Sequence, residues 1–69
     1  MPLNLAQPGE EAVIRRIGGT PEVKRRLENL GFVVGGTCSL ISVINGNVIV
    51  RVKGARIAIS REMAQKIMI

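Results

Sequence analysis

The side chains that could take part in catalysis are few in this chain, and their positions keep them apart. The 69 residues contain one cysteine, five glutamates and no histidine, aspartate, tyrosine or tryptophan. A nucleophile activated by histidine therefore cannot be assembled within one chain. Glu10 and Glu11 are neighbours on a predicted strand, so their side chains point to opposite faces and cannot converge on one substrate. These residues predict a protein that binds a partner and is not an enzyme.

Cys38 and the glycine pair Gly35 and Gly36 are the other features that could carry chemistry. Cys38 lies between Thr37 and Ser39, with no second metal ligand and no basic residue beside it. This setting is typical of a small buried hydrophobe, because metal sites need clustered ligands and reactive thiols need a nearby positive charge. The two glycines lack the spacing of a phosphate-binding loop and predict a turn. We therefore expect no metal site, no cofactor and no small-molecule substrate.

The charge of the chain is basic, since ten Lys and Arg against five Glu leave a formal net charge of +5. Such a surface favours an acidic partner, which could be nucleic acid, an anionic membrane face or an acidic protein patch. The basic residues are spread along the whole chain, and Phe32 is the only aromatic side chain that could stack on a base. A basic barrel that binds nucleic acid stays an alternative, and the salt dependence of RNA binding would identify it.

The cellular compartment is also indicated by composition. A single cysteine excludes an internal disulfide and favours a reducing environment. The first residues lack the basic and apolar regions of a signal peptide, so we expect a cytoplasmic protein. Residues 31–50 carry no charge, and these twenty residues would be long enough to cross a membrane. Because turn signals such as Asn45 and Gly46 interrupt that stretch, it predicts a buried hairpin.

The best-marked element is a helix over residues 21–30. Thr20 can cap its N-terminus and Pro21 fits its first position. One apolar stripe is predicted from Val23, Leu27 and Leu30. Gly31 suits the left-handed residue that ends a helix, after which Phe32 can fold back onto the last turn.

The remaining patterns predict short strands after an extended lead-in at residues 3–9. The strands are expected at residues 10–17, 37–44, 47–53, 56–60 and 66–69. Asn45 and Gly46 predict a two-residue hairpin turn, Gly54 and Ala55 predict the next turn, and Ser60 can cap a helical turn over residues 60–63. In the strand predicted at residues 47–53, alternation turns three residues inward: Val48, Val50 and Val52. It turns three others outward: Ile49, Arg51 and Lys53.

These elements together predict one mostly β domain over residues 1–69. Five short strands with a helical turn before the last favour a small five-stranded SH3-like barrel, because closure removes most exposed edges. The helix is an insertion after the first strand and is expected to lie across one open end. The first strand could bury either Ala12 and Ile14 or Val13 and Ile17, and its pattern does not decide between the two faces.

The order of these segments resembles the ferrous iron transport protein A (FeoA) family over essentially the whole chain. The resemblance rests on an R-L-x-x-L-G-F-x-x-G segment at residues 26–35, a G-N-V-I-V-R-V-K-G segment at 46–54 and an R-I-A-I-S strand at 56–60. Ala64 and Ile67 follow at the expected places. The same domain type also resembles the C-terminal SH3-like domain of metal-dependent repressors, and a copy without a DNA-binding domain favours the transport role.

The resemblance implies a cytosolic accessory or regulatory protein of bacterial ferrous iron uptake. Its implied partner is the cytosolic domain of an FeoB-type membrane transporter, so the chain would reach the membrane only through that partner. The family is also associated with transition metal ion binding, but it supplies no catalytic or metal-ligating residues to place here. Self-association into a homo-oligomer stays open.

The predicted contact surface combines the outward residue Ile49 with basic neighbours. An exposed β-branched side chain among positive charges fits an interface with an apolar centre and a polar rim. The basic neighbours are Arg51, Lys53 and Arg56. A helix face carrying Lys24, Arg25 and Glu28 is the competing surface. Ile49 could instead only cover the sheet or serve self-association, because single exposed apolar residues are common.

Overall fold

The strands of the computed structural model, which describes Met1 to Ile69, form two antiparallel sheets. The elements in chain order are a 3₁₀ turn at Leu3–Leu5, β1 (Glu11–Val13), β2 (Arg16–Ile17), α1 (Pro21–Asn29), β3 (Thr37–Ile44), β4 (Asn47–Val52), β5 (Ala55–Ser60), α2 (Arg61–Ala64) and β6 (Ile67–Met68). One sheet has the strand order β1-β3-β4-β5, and the other pairs β2 with β6. The predicted mostly β architecture with one helix inserted near the start is confirmed.

The strand predicted at residues 10–17 is wrong as a single element, and the structure therefore has six strands where five were expected. The chain changes sheets between β1 and β2. The N–H of Ile14 donates to the carbonyl of Gly36 at 2.8 Å, and the N–H of Arg15 donates to the carbonyl of Met68 at 2.8 Å. This change of direction buries both Ile14 and Ile17, whereas Val13 is half exposed. Simple alternation could not have assigned the inward face.

Helix α1 begins and ends as its sequence signals predicted. The hydroxyl of Thr20 accepts a hydrogen bond from the N–H of Val23 at 3.2 Å, and Pro21 occupies the first turn. At the other end Gly31 has a φ of 108°, and the N–H of Phe32 donates to the carbonyl of Leu27 at 3.0 Å. This 6→1 bond is the Schellman arrangement that satisfies the last carbonyls of a helix.

The predicted apolar stripe of α1 is only partly correct. Leu27 is completely buried and Val23 is half-buried, but Leu30 is 40% exposed. Leu30 is the C-cap residue, and the reversal at Gly31 brings Phe32 into the core in its place. The side chain that anchors the end of the helix thus follows the helix in sequence.

The hairpin formed by β3 and β4 turns at Asn45 and Gly46, as predicted. Both residues have a positive φ, 50° and 79°, which is the requirement of a type I′ turn. The inward residues of β4 are buried as expected: Val48, Val50 and Val52. A β-bulge, which alternation did not reveal, lies between Leu40 and Ser42, so that Ile41 is an extra residue opposite Ile49.

The next turn lies one residue earlier than predicted. Lys53 and Gly54 have φ values of 50° and 76°, and Val52 pairs with Ala55 across them. Lys53 is therefore a turn residue and not the last residue of β4, and β5 starts at Ala55. A two-residue turn with two positive φ angles places its glycine second, so β4 ends one residue earlier than predicted and β5 also begins one residue earlier.

The two ends of the chain close the second sheet. The predicted helical turn is confirmed, since the hydroxyl of Ser60 accepts from the N–H of Met63 at 3.2 Å at the start of α2. The predicted closing strand is also confirmed as β6, which pairs with β2. The lead-in was expected to be extended, but it contains the 3₁₀ turn, which buries Leu3 completely.

One apolar cluster of 13 buried residues forms the core, and no polar residue is buried with it. Both sheets contribute side chains to the cluster, α1 contributes Leu27 and α2 contributes Ala64. The uncharged stretch at residues 31–50 forms the loop after α1 and most of the β3–β4 hairpin, as predicted. None of the helices has the length and apolar character needed to cross a membrane.

Replacing Gly31 with alanine tests the role of the helix end. Its φ of 108° is strained for any residue with a Cβ, so G31A should lower the free energy of unfolding by about 1–3 kcal/mol. Urea denaturation measures the change. Gly18 is the control, because its φ lies outside the left-handed region and an added Cβ would meet only the carbonyl oxygen of Lys66 at 3.6 Å. An equal loss in G18A would contradict the argument.

Candidate protein-interaction surfaces

The outer face of the four-stranded sheet carries two arginines in direct opposition. Arg51 of β4 pairs with Arg56 of β5, and on its other side Arg51 pairs with Ser39 of β3. Glu11 of β1 pairs with Ser39, so the one carboxylate in this row is separated from Arg51 by a strand. Like charges placed directly opposite each other destabilise an antiparallel pair. The row therefore concentrates positive charge that its own neighbours do not neutralise.

Ile49 lies one row away from the two arginines on the same face. Its partners are Ser42 on β3 and Ala58 on β5, both small, and the bulge residue Ile41 lies next to Ser42. The side chain is half-buried, although alternation predicted a fully outward position. The small neighbours leave part of Ile49 accessible beside Arg51 and Arg56. We call Ile49, Arg51 and Arg56 the sheet patch.

Lys53 was predicted as an outward residue of the strand at 47–53, but it lies in the turn after β4. Its position in the turn removes it from the strand alternation, and its side-chain Cδ would lie 3.5 Å from a Cβ added at Gly31. The aliphatic stem therefore passes over the end of α1. Lys53 remains exposed and adds positive charge at the edge of the patch.

The competing helix face is present but carries mixed charge. Lys24, Arg25 and Glu28 are all exposed on α1, away from the buried Leu27. Lys24 and Glu28 are four residues apart, which makes them neighbours on one side of the helix. The carboxylate of this face is thus close to one of its cations, whereas Glu11, the carboxylate in the row of Arg51 and Arg56, is separated from Arg51 by a strand.

A shallow cavity of about 300 Å³ was not predicted from the sequence. It lies where α1, the end of β5 and α2 meet, and it is lined by Val23, Arg26, Ser60, Glu62, Met63 and Lys66. The Ser60 hydroxyl accepts from the N–H of Met63, so it is engaged as a helix cap. The lining combines two apolar side chains with two cations and one carboxylate. Only the tertiary fold brings these residues together, so no local pattern could have revealed the cavity.

Cys38 lies in the core, as its sequence setting predicted. Only 3% of its surface is exposed, and it pairs with Val52 across the sheet. Burial raises the pKa of the Cys38 thiol, because desolvation disfavours the charged thiolate. The thiol acts as an apolar packing group.

The carboxylates and the cysteine do not converge on a metal-binding geometry. No three residues of the His, Cys, Asp and Glu types lie together in a way that could hold a metal ion. Transition metals in proteins are usually held by three or four such ligands. The side chains of the chain therefore offer no preformed coordination sphere.

The chain is similar to known proteins in both sequence and fold. The model of the family described as the FeoA domain matches residues 1–69. A Methanocaldococcus jannaschii protein named "Putative Fe(2+) transport protein A" is 38% identical over 68 residues, which cover 99% of this chain and 83% of that protein. The crystal structure of the iron uptake regulatory protein FeoA matches with a TM-score of 0.88 at 28% identity, covering 97% of this chain and 89% of that one.

A second group of solved structures shares the fold alone. A manganese-dependent transcriptional repressor matches with a TM-score of 0.86 at 18% identity, covering 97% of this chain and 39% of that protein. The SH3-like architecture predicted from the sequence is confirmed by the matching structures. The similarity to the repressor concerns the fold alone.

The raised pKa of Cys38 predicts slow thiol chemistry in the folded protein. At any given pH a smaller fraction of the thiol is ionised than in a free cysteine, and burial blocks access to it. An aromatic disulfide reagent should modify Cys38 only as fast as the protein unfolds, and immediately in urea. The control is N47C, which adds a thiol at an exposed position and should react at once in the folded state. Rapid modification of the unaltered chain would contradict this.

The scattered carboxylates predict weak metal binding by the monomer. Anaerobic titration with ferrous or zinc ions, followed by calorimetry, should show no one-to-one binding with a dissociation constant below about 1 µM. Size-exclusion chromatography under the same conditions separates binding by a monomer from binding between chains. Submicromolar binding to the monomer would show that a coordination site has been missed.

Proposed function

The chain belongs to the FeoA family, and from this premise we propose that it is a cytoplasmic accessory protein of ferrous iron uptake that acts by protein contact. Its relative in Methanocaldococcus jannaschii is named for Fe(2+) transport, and its structural relative is named for the regulation of iron uptake. The iron in this proposal is the cargo of the transport system and is not held by this chain.

The partner in this proposal is the cytosolic domain of an FeoB-type transporter, bound through the sheet patch. The observation that carries it is the direct opposition of Arg51 and Arg56 next to a half-buried Ile49. An acidic surface that binds both guanidinium groups removes the repulsion between them, and Arg is well suited to such contacts because it binds carboxylates in a bidentate way. Covering Ile49 adds apolar burial at the centre of the contact.

Two features support protein contact over nucleic-acid binding. Phe32 is completely buried, so the only aromatic residue cannot stack on a base. The two basic residues of the sheet patch lie beside an apolar side chain on the same face, and a combination of apolar and polar contacts is typical of protein interfaces. A steep loss of RNA binding with rising salt, at micromolar affinity, would support the nucleic-acid alternative instead.

A contact role also fits the chemistry of the polar groups. The Cys38 thiol is buried, and the hydroxyls of Thr20 and Ser60 serve as helix caps. The cavity between α1 and α2 contains a carboxylate, Glu62, but no activated nucleophile beside it. We therefore propose that the protein regulates or assembles its partner and catalyses no reaction.

Introducing negative charge into the sheet patch should weaken the complex while leaving the fold intact. R51E and, separately, I49E should weaken binding to the purified transporter cytosolic domain by about tenfold or more, equal to about 1.4 kcal/mol. Both should also reduce ferrous iron uptake in cells. Calorimetry measures the affinity, and amide NMR spectra establish that each variant is folded.

The matched controls for this experiment are K24E and R25E on the helix face. Each changes the net charge by the same amount as R51E, so an effect of overall charge would appear in all three. If the helix-face variants weaken binding and the sheet variants do not, the partner binds α1 and the sheet patch is the wrong surface. If only self-association changes, the patch is an interface between copies of the chain.

A further inference from the structure

The outer edge of β5 has no partner strand. In the order β1-β3-β4-β5 it is the last strand, and it pairs only with β4. It is six residues long, twice the length of β1 at the opposite edge of the sheet. Proteins usually protect such an edge with proline, a bulge, several charges or a covering element. The β5 edge has no proline or bulge, and its only charge is Arg56.

The geometry of the preceding turn determines which main-chain groups face outward. A two-residue turn at Lys53 and Gly54 makes Val52 and Ala55 a hydrogen-bonded pair, and the pattern alternates from there along an antiparallel ladder. Arg56 and Ala58 therefore direct their N–H and C=O groups away from β4. Both residues are exposed, and no main-chain hydrogen bond outside the strand ladders ends on either of them.

The edge leads into the cavity between α1 and α2. Ser60 is the last residue of β5, is exposed and lines the cavity together with Val23 and Met63. From Arg56 to Ser60 the edge is about 13 Å long, enough for four or five residues of an added strand. A segment that continues beyond Ser60 would place a side chain in the cavity.

The charges along this path identify the occupant. Cations flank both ends of the edge: Arg51, Arg56, Arg26, Arg61 and Lys66. Glu62 is the only carboxylate that lines the cavity. An extended segment rich in Asp and Glu would therefore be attracted, whereas a second copy of this chain, with its net charge of +5, would bring more positive charge to the same place.

We propose that the free edge of β5 binds an extended acidic segment of a partner protein as an added strand, with the cavity between α1 and α2 receiving a side chain at its end. Strand addition uses main-chain hydrogen bonds for affinity and side-chain pockets for selection. This site is distinct from the sheet patch, because main-chain groups at the edge make the contact and not side chains on the outer face. Binding of a synthetic peptide needs no transporter, so its outcome is independent of the proposed function.

The probe is a seven-residue peptide of alternating valine and glutamate, titrated into the isotope-labelled protein. The amide signals of Arg56, Ala58 and Ser60 should shift in a saturable way. The same peptide with lysine in place of glutamate should bind at least tenfold more weakly. A third peptide, N-methylated at every residue, has no main-chain N–H to donate to the edge carbonyls on either of its edges and should not bind.

The protein variant for this test is A58P, compared with A58V. Proline removes an N–H that points to solvent, which edge strands tolerate, so the β4–β5 ladder is preserved. A58P should bind the acidic peptide at least tenfold more weakly than A58V. If A58P does not fold, the N-methylated peptide supplies the same comparison with the unaltered protein.

Three results would overturn the proposal. The first is equal binding of the acidic and lysine peptides. The second is that the N-methylated peptide binds as well as the acidic peptide, or that folded A58P binds the acidic peptide as well as A58V does. The third is a set of shifts at Arg56, Ala58 and Ser60 that depends on protein concentration without peptide, which would show that a second copy of the chain occupies the edge.

Discussion

The burial of Val48, Val50 and Val52 on β4 is the interaction on which the rest of the structure depends. These three side chains are almost completely excluded from solvent at the centre of a core that contains no polar residue. A chain of 69 residues buries a smaller share of its surface on folding than a larger domain does, so the loss of one such strand could not be compensated elsewhere. A slip of one residue in register would turn all three valines to solvent, and the two-residue turns on both sides of β4 oppose it. The outward positions of Ile49 and Arg51, the opposition of Arg51 to Arg56 and the free edge of β5 all follow from this register.

The second sheet closes the core with very little chain. β2 and β6 have two residues each, and the N–H of Ile69 donates to the carbonyl of Met1 at 2.7 Å beside them. This sheet is possible because the chain leaves β1 at Ile14 and bonds to Met68 one residue later. Closure protects the edges near the chain ends, but it does not reach the outer side of β5. The edge that remains open is thus that of β5, at the opposite side of the four-stranded sheet from β1, where the chain passes into the second sheet.

Sequence signals with a local cause predicted the structure well, and signals that depend on distant partners did not. Thr20, Gly31 and the turn at Asn45 and Gly46 act within a few residues, and all formed as expected. The division of the first strand depends on carbonyls of Gly36 and Met68, which lie more than 20 residues away. The same holds for the sheet patch, because alternation predicted only which face it lies on. Ile49 is half-buried because it pairs with Ser42 and Ala58, and this pairing depends on the bulge in β3 and on the strand register. Six residues from α1, β5, α2 and the segment after it form the cavity, so a pattern within one element could not indicate it.

The folded state leaves this protein with surfaces for contact and few groups for chemistry. The thiol and the single aromatic ring are buried in the core, and two hydroxyls accept hydrogen bonds as helix caps. The accessible groups on which the two proposed contacts depend are guanidinium and ammonium side chains, a partly covered isoleucine and the main chain of one strand edge. Charged side chains accelerate association and select an acidic partner, whereas apolar burial and main-chain hydrogen bonds prolong the complex. Because the sheet patch and the β5 edge share Arg56, one partner that presents an acidic surface and an adjacent extended segment could occupy both. Two weak contacts joined in this way bind far more tightly than either alone, since the second forms at the high effective concentration that the first creates.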